Sequence, residues 1–278
     1  MTFRRIATLA VVASLVGPGT TAAVAADVTT LSFGGRDLLV HVPRTLPAPG
    51  SRALVLVLHG GLGNASRIVD RRAEGGLNMN AIADREGFVV AYLDGTPVTR
   101  RLGGRFLGWN AGGACCGQSA ANDVDDVGYI RGAVDELVAR YDIDRARVFS
   151  MGHSNGAMMT QRLLCETTIV AAGVAVSGPL NLDVARCPAA RGHRVLAIHG
   201  EDDRNVPVAG GVGERGLSRV AFRSEAASQR SFVDSGASYT LQVVPGADHA
   251  LAHIETALEA SEGLTIAEKS ARFFGLSD

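Results

Sequence analysis

Residues 28–33 and 37–42 alternate apolar with polar side chains and are separated by Gly34-Gly35, the pattern of a β-hairpin with one covered face. The pattern then changes. Residues 53–58 form an unbroken apolar run that stops at His59-Gly60-Gly61. A strand of this kind needs cover on both faces, which a parallel sheet between two helix layers provides. Comparable runs recur at 88–93, 148–151, 171–176, 195–198 and 239–244.

Helical spacing fills the intervals. Residues 78–86 carry Met79, Ile82 and Ala83 on one face, with Gly87 at the C-cap position. Residues 123–141 place Val127, Ile130, Val134, Leu137 and Val138 on one stripe, and Asp123, Asp125 and Asp126 crowd the first turn. Those three carboxylates are read as solvated charge that favours the helix dipole. Residues 157–165, 224–233 and Ile266–Phe274 complete the set. The whole predicts an α/β fold with a mostly parallel central sheet, an N-terminal antiparallel hairpin and helices on both faces. Two Gly-rich stretches, 95–122 and 204–222, interrupt the alternation. Both leave strand ends where open α/β sheets bind ligands, so they are the expected walls of a cleft, with Trp109 as its substrate-facing residue.

Composition narrows the class without naming a chemistry. The 278 residues are 46% hydrophobic and 20% charged with a net charge of −1, which suits one soluble catalytic domain over residues 27–278 and gives no sign of nucleic acid as a partner. Arg4-Arg5, the apolar run 6–16 and Ala23-Val24-Ala25-Ala26 read as a cleavable export signal over residues 1–26. The mature chain holds no apolar run near the ~20 residues that would span a bilayer. A secreted monomer without membrane attachment is therefore expected. Export also makes Cys115, Cys116, Cys165 and Cys187 disulfide candidates. Cys165 with Cys187 is the favoured pair, leaving Cys115 and Cys116 to bond each other or stay as thiols. The scattered histidines and the lack of Cys-x-x-Cys or His-Glu-x-x-His predict no metal and no cofactor.

The candidate chemistry lies at the strand ends. Gly152-His153-Ser154-Asn155-Gly156 follows the strand 148–151 and precedes the helix 157–165, so Ser154 occupies a strand-turn-helix junction. A serine hydroxyl needs a base, and His249, after the strand 239–244, is the candidate. His253 is assigned to a following helix, His59 and His199 to packing, and His153 is expected to point elsewhere. Asp203 is the expected acid because of its spacing to Val206-Pro207, with Asp202 as the alternative. The order Ser154, Asp203, His249 is that of an α/β-hydrolase. An oxyanion would be met by the backbone N–H of Asn155 and by Gly61, or else Leu62.

The chain resembles the polyhydroxybutyrate depolymerase-like and feruloyl esterase-like branch of the α/β-hydrolases. The likeness runs through Leu58-His59-Gly60-Gly61, Ala83-Asp84-Arg85-Glu86-Gly87-Phe88, Trp109-Asn110, Cys115-Cys116-Gly117, Asp125-Asp126, the Gly-His-Ser-Asn-Gly turn and His199-Gly200-x-x-Asp203-x-x-Val206-Pro207. The resemblance implies a Ser-His-Asp esterase acting on small or oligomeric esters, on a polyester or on acylated polysaccharide. It also shows departures: Ala250-Leu251-Ala252 follows His249 where Thr-Trp-Pro is common, Val208 stands where an aromatic is usual, and aromatic content is 5%. Acyl transfer by the same triad, and a non-catalytic exported binding protein on this scaffold, are the alternative functions.

Overall fold

The computed structural model describes residues 28–99, 106–216 and 218–278. The expected export signal over residues 1–26 lies outside the described residues, as do 100–105 of the first long loop and 217 of the second.

The hairpin forms as the alternation predicts, from β1 (Val28–Phe33) and β2 (Arg36–His41) paired antiparallel from Val28↔His41 to Phe33↔Arg36. Next come β3 (Arg52–Leu58), β4 (Val89–Leu93), β5 (Ile143–His153), β6 (Ala172–Val176), β7 (Arg194–Gly200) and β8 (Ser238–Val244). Together they make an eight-stranded sheet in the order β1-β2-β4-β3-β5-β6-β7-β8. From β4 to β8 every pairing is parallel. The order reverses between β3 and β5, which leaves a crevice beyond their carboxyl ends. β5 begins earlier than its apolar run because Asp144 to Arg147 lie at its outer end, where polar side chains reach water.

Alternate residues of the central strands feed two separate cores, as strands covered on both faces require. On one face Leu54, Leu56 and Leu58 pack with Ile130, Val134 and Leu137 of the helix Asp126–Tyr141 and with Met159 and Leu163 of the helix Asn155–Glu166. On the other, Val55, Val57 and Tyr92 pack with Ile82 of Asn80–Glu86, Ile254 and Leu258 of Leu251–Glu262, and Ile266 and Phe274 of Ile266–Phe274. Shorter helices at Ala65–Val69 and Gly117–Ala121 were too brief to show a helical period in the sequence. Among the described residues no helix is long and apolar enough to cross a membrane. Cys165 is joined to Cys187, and Cys115 to Cys116.

Of the three aspartates at the start of Asp126–Tyr141, Asp123 and Asp125 are exposed as expected, and Asp126 is not. Asp125 caps the helix by accepting the Gly128 N–H at 2.7 Å. Asp126 is fully buried, pairs with Arg36 and accepts the Asn110 N–H at 2.6 Å. A buried carboxylate needs such partners, and they come from 90 and 16 residues away, beyond any local pattern.

Candidate active site

Ser154 stands between β5 and the helix Asn155–Glu166 with φ 53° and ψ −119°. So unusual a backbone for a residue with a side chain is held by its surroundings. A Cβ at Gly152 would collide with the Gly156 carbonyl, and one at Gly156 would overlap the carbonyl oxygens of Leu58 and His59. Gly152 therefore lets the helix start fold back onto β5, and Gly156 lets the turn close against the end of β3.

The fold brings Ser154, His249 and Asp203 into one line. The Ser154 hydroxyl lies 3.0 Å from His249 Nε2, and His249 Nδ1 lies 2.7 Å from Asp203 Oδ2. Asp203 Oδ1 accepts the N–H groups of Asn205 and Val206, each at 2.8 Å, so the turn to Val206-Pro207 aims the other oxygen at His249. Asp202 is exposed and does not make this contact. Burial pushes the Asp203 carboxyl up, but hydrogen bonds from His199 and His249 outweigh it and leave the group well below the usual carboxylate range. Burial lowers the His249 pKa, the bond to Asp203 opposes this, and charge on His153 and His199 adds to the lowering.

The loop after β3 presents one spare donor. Gly60 N–H goes to Glu74 Oε1 at 2.8 Å, Leu62 N–H to the Leu107 carbonyl at 2.8 Å, and Gly63 N–H to the Gly60 carbonyl at 3.0 Å. Among the described residues no acceptor takes the Gly61 N–H, which removes Leu62 as the alternative. Asn155 N–H opens its helix, where no turn precedes it to accept the bond. Gly61 and Asn155 both border a cavity of about 440 Å³ that also holds Ser154 and His249.

Both long loops reach that cavity, through Val98, Cys116 and Gly117 and through Asn205, Val206, Ser218 and Phe222. Trp109 does not, which corrects the expectation that it faces substrate. It is fully buried, and its indole N–H donates to the His59 carbonyl at 2.9 Å. Its backbone N–H donates to Asn155 Oδ1 at 2.7 Å while its carbonyl accepts from Asn155 Nδ2 at 3.0 Å. One residue thus ties the serine turn, through its backbone, to the loop bearing Gly61, through its ring. A larger hollow of about 600 Å³ between Arg71, Glu74, Glu255 and Glu268 contains none of Ser154, Asp203 or His249.

His153 points away from the Ser154 hydroxyl, as expected, yet it borders His249. Its Nε2 lies 2.9 Å from the His249 carbonyl and its Nδ1 2.7 Å from Glu74 Oε1, with its ring 4.9 Å from that of His249. Burial raises the Glu74 carboxyl, but the hydrogen bond and charge of His153 hold it below its ordinary value. Glu74 was not foreseen: it sits 79 residues before His153, on no regular element pattern. His59 does pack, buried, with Nε2 accepting the Gly95 N–H at 3.0 Å. His253 lies on the helix Leu251–Glu262 and meets Asp248 at 2.8 Å.

Comparison with known proteins agrees with this architecture. Residues 77–190 match the prolyl oligopeptidase family. The chain is 35% identical over 170 residues to a Nocardia uniformis subsp. tsuyamanensis protein named "Putative esterase NocK", covering 60% of this chain and 45% of that one. Feruloyl esterase B of Piromyces equi is 27% identical over 186 residues, covering 64% and 31%. Poly(3-hydroxybutyrate) depolymerase of Ralstonia pickettii is 32% identical over 136 residues, covering 47% and 26%. The chain spans less than half the length of each of these relatives. The Bacillus cereus carboxylesterase structure superposes with a TM-score of 0.59 at 16% identity, over 87% of this chain and 94% of that one. With its sheet order and its strand-turn-helix serine the chain has the α/β-hydrolase fold, and in sequence it is similar to polyhydroxybutyrate depolymerases and feruloyl esterases.

Proposed function

We propose that this protein is an exported serine esterase that cleaves carboxylic esters through an acyl-enzyme. The observation that carries the reading is the unbroken line Ser154–His249–Asp203 at the cavity wall, beside the uncommitted N–H groups of Gly61 and Asn155. His249 Nε2 takes the Ser154 proton as Oγ attacks the ester carbonyl, and Asp203 stabilises the imidazolium. The two N–H groups meet the oxyanion, each worth about 3 kcal/mol of barrier in such sites. His249 then returns the proton to the departing alcohol, and water releases the acid by the same steps in reverse. Because the residues themselves carry this sequence, no cofactor is invoked.

The cavity favours small or oligomeric aliphatic esters. Leu62, Val98, Met158, Val206 and Phe222 give it an apolar side, and Phe222 is the one Phe, Tyr or Trp among its described lining residues. That is little surface for stacking a feruloyl group. The terminal segment 1–26 and the Cys165–Cys187 link support export.

The test compares wild type and Ser154→Ala on p-nitrophenyl butyrate, methyl ferulate, acetylated xylan and 3-hydroxybutyrate oligomers. Turnover of the aliphatic esters by wild type alone is expected. Equal hydrolysis by both proteins would overturn the reading.

A further inference from the structure

Behind the triad lies a second carboxylate–histidine pair. His199, at the end of β7, is fully buried. Its Nδ1 lies 2.8 Å from Glu225 Oε1, and its Nε2 lies 2.8 Å from the Val206 carbonyl and 3.3 Å from Asp203 Oδ2. Carbonyl and carboxylate oxygens only accept, so the ring satisfies this set only with hydrogen on both nitrogens. Glu225, also fully buried, accepts the Tyr239 hydroxyl at 2.6 Å through Oε2. Tyr239 in turn faces Gln161 Oε1 at 3.3 Å.

We propose that His199 is a charged positioning residue that holds Asp203 ionised and keeps His249 unprotonated, and so competent as a base, into mildly acidic conditions. The inference rests on the triad reading given above. Three elements converge on the pair: the loop after β7 with Asp203, the helix Glu225–Val233 with Glu225, and β8 with Tyr239. On its far side His249 faces His153, itself bound to Glu74. Burial alone would strip the proton from His199, but its hydrogen bonds to Asp203 and Glu225 reverse this and raise its pKa to about 10.

The consequence is an alternating row of Glu225, His199, Asp203 and His249. Before reaction the row holds two carboxylates and one imidazolium. When His249 takes the Ser154 proton, cations and anions balance. Proton transfer therefore cancels buried charge instead of creating it. Without the His199 cation the row would carry one more negative charge, and His249 would hold its proton to higher pH.

Two measurements test this. In wild-type protein with labelled histidines, the His199 ring is expected to show two N–H protons from about pH 5.5 to about pH 9. A neutral His199 ring in that range overturns the proposal. His199→Gln keeps a donor but not the charge, and the acid limb of its kcat/KM profile is expected to move up by on the order of one pH unit. A profile that superimposes on wild type overturns it; should the variant not fold, the ring titration decides. The ring signals need no turnover, so their failure is distinguishable from failure of the triad, which Ser154→Ala reads.

Discussion

At Ser154 the backbone geometry is set by the two glycines and by the covering strand, and the hydroxyl contributes only its contact to His249. Ser154→Ala is therefore expected to lose several orders of magnitude in kcat while the thermal midpoint stays within a few degrees of wild type. Circular dichroism melts beside ester assays check both halves. As the proposed base His249 acts when neutral, and burial lowers its pKa below the ordinary 6.5. The acid limb of kcat/KM should thus fall at a pH below about 6.5, and a midpoint at or above that value would count against the buried geometry. His199 gives the opposite sign in stability. Its folded pKa, about 10, exceeds the unfolded value of about 6.5, so its contribution is fully present below 6.5 and is lost as pH rises toward 10. Urea midpoints across that window should decline more steeply for wild type than for His199→Gln.

At the scale of elements, the sheet was legible because strands buried on both faces leave continuous apolar runs, as in 53–58 and 89–93. The serine turn was legible for a related reason: its glycines and its strand and helix flanks are adjacent in sequence. What stayed hidden are contacts between elements. Glu74 reaches His153, Glu225 reaches His199, and Trp109 clamps Asn155 across 46 residues. A Ser-Glu helix start such as Ser224-Glu225 reads simply as a cap, which Ser224 also is. The Trp109 clamp can be probed by Trp109→Phe, which removes the indole N–H from the His59 carbonyl. Its expected cost is about 1–3 kcal/mol of stability and roughly a tenfold loss of kcat, as the loop bearing Gly61 loses its tie to the segment whose backbone holds Asn155 and the two proposed oxyanion donors lose their fixed spacing. A variant with unchanged kcat would show that Trp109 does not position them. Gly156→Ala should cost about 3 kcal/mol or more, since its methyl has only the Leu58 and His59 carbonyls to occupy.

For the molecule as a whole, the line Ser154–His249–Asp203 joins three segments that share one sheet: the turn after β5, the loop after β7 and the loop after β8. Their relative placement depends on the strands staying in parallel register. The Cys165–Cys187 bond ties the serine-bearing helix to the chain entering β7, across 22 residues. A loop of that length confers about 3 kcal/mol by restricting the unfolded chain. Replacing both cysteines by alanine is expected to lower the urea-derived stability by about that amount while leaving kcat within a fewfold, because the bond lies outside the cavity lining. The central claim, that Ser154 is the nucleophile of a Ser-His-Asp esterase, is tested most directly by covalent capture. Protein treated with a fluorophosphonate is digested and mapped by mass spectrometry, with p-nitrophenyl butyrate turnover followed in parallel. The account predicts one adduct, on Ser154, growing in proportion to lost activity and slowed strongly in His249→Ala. Full activity with Ser154 modified, or full inactivation with Ser154 untouched, would contradict it.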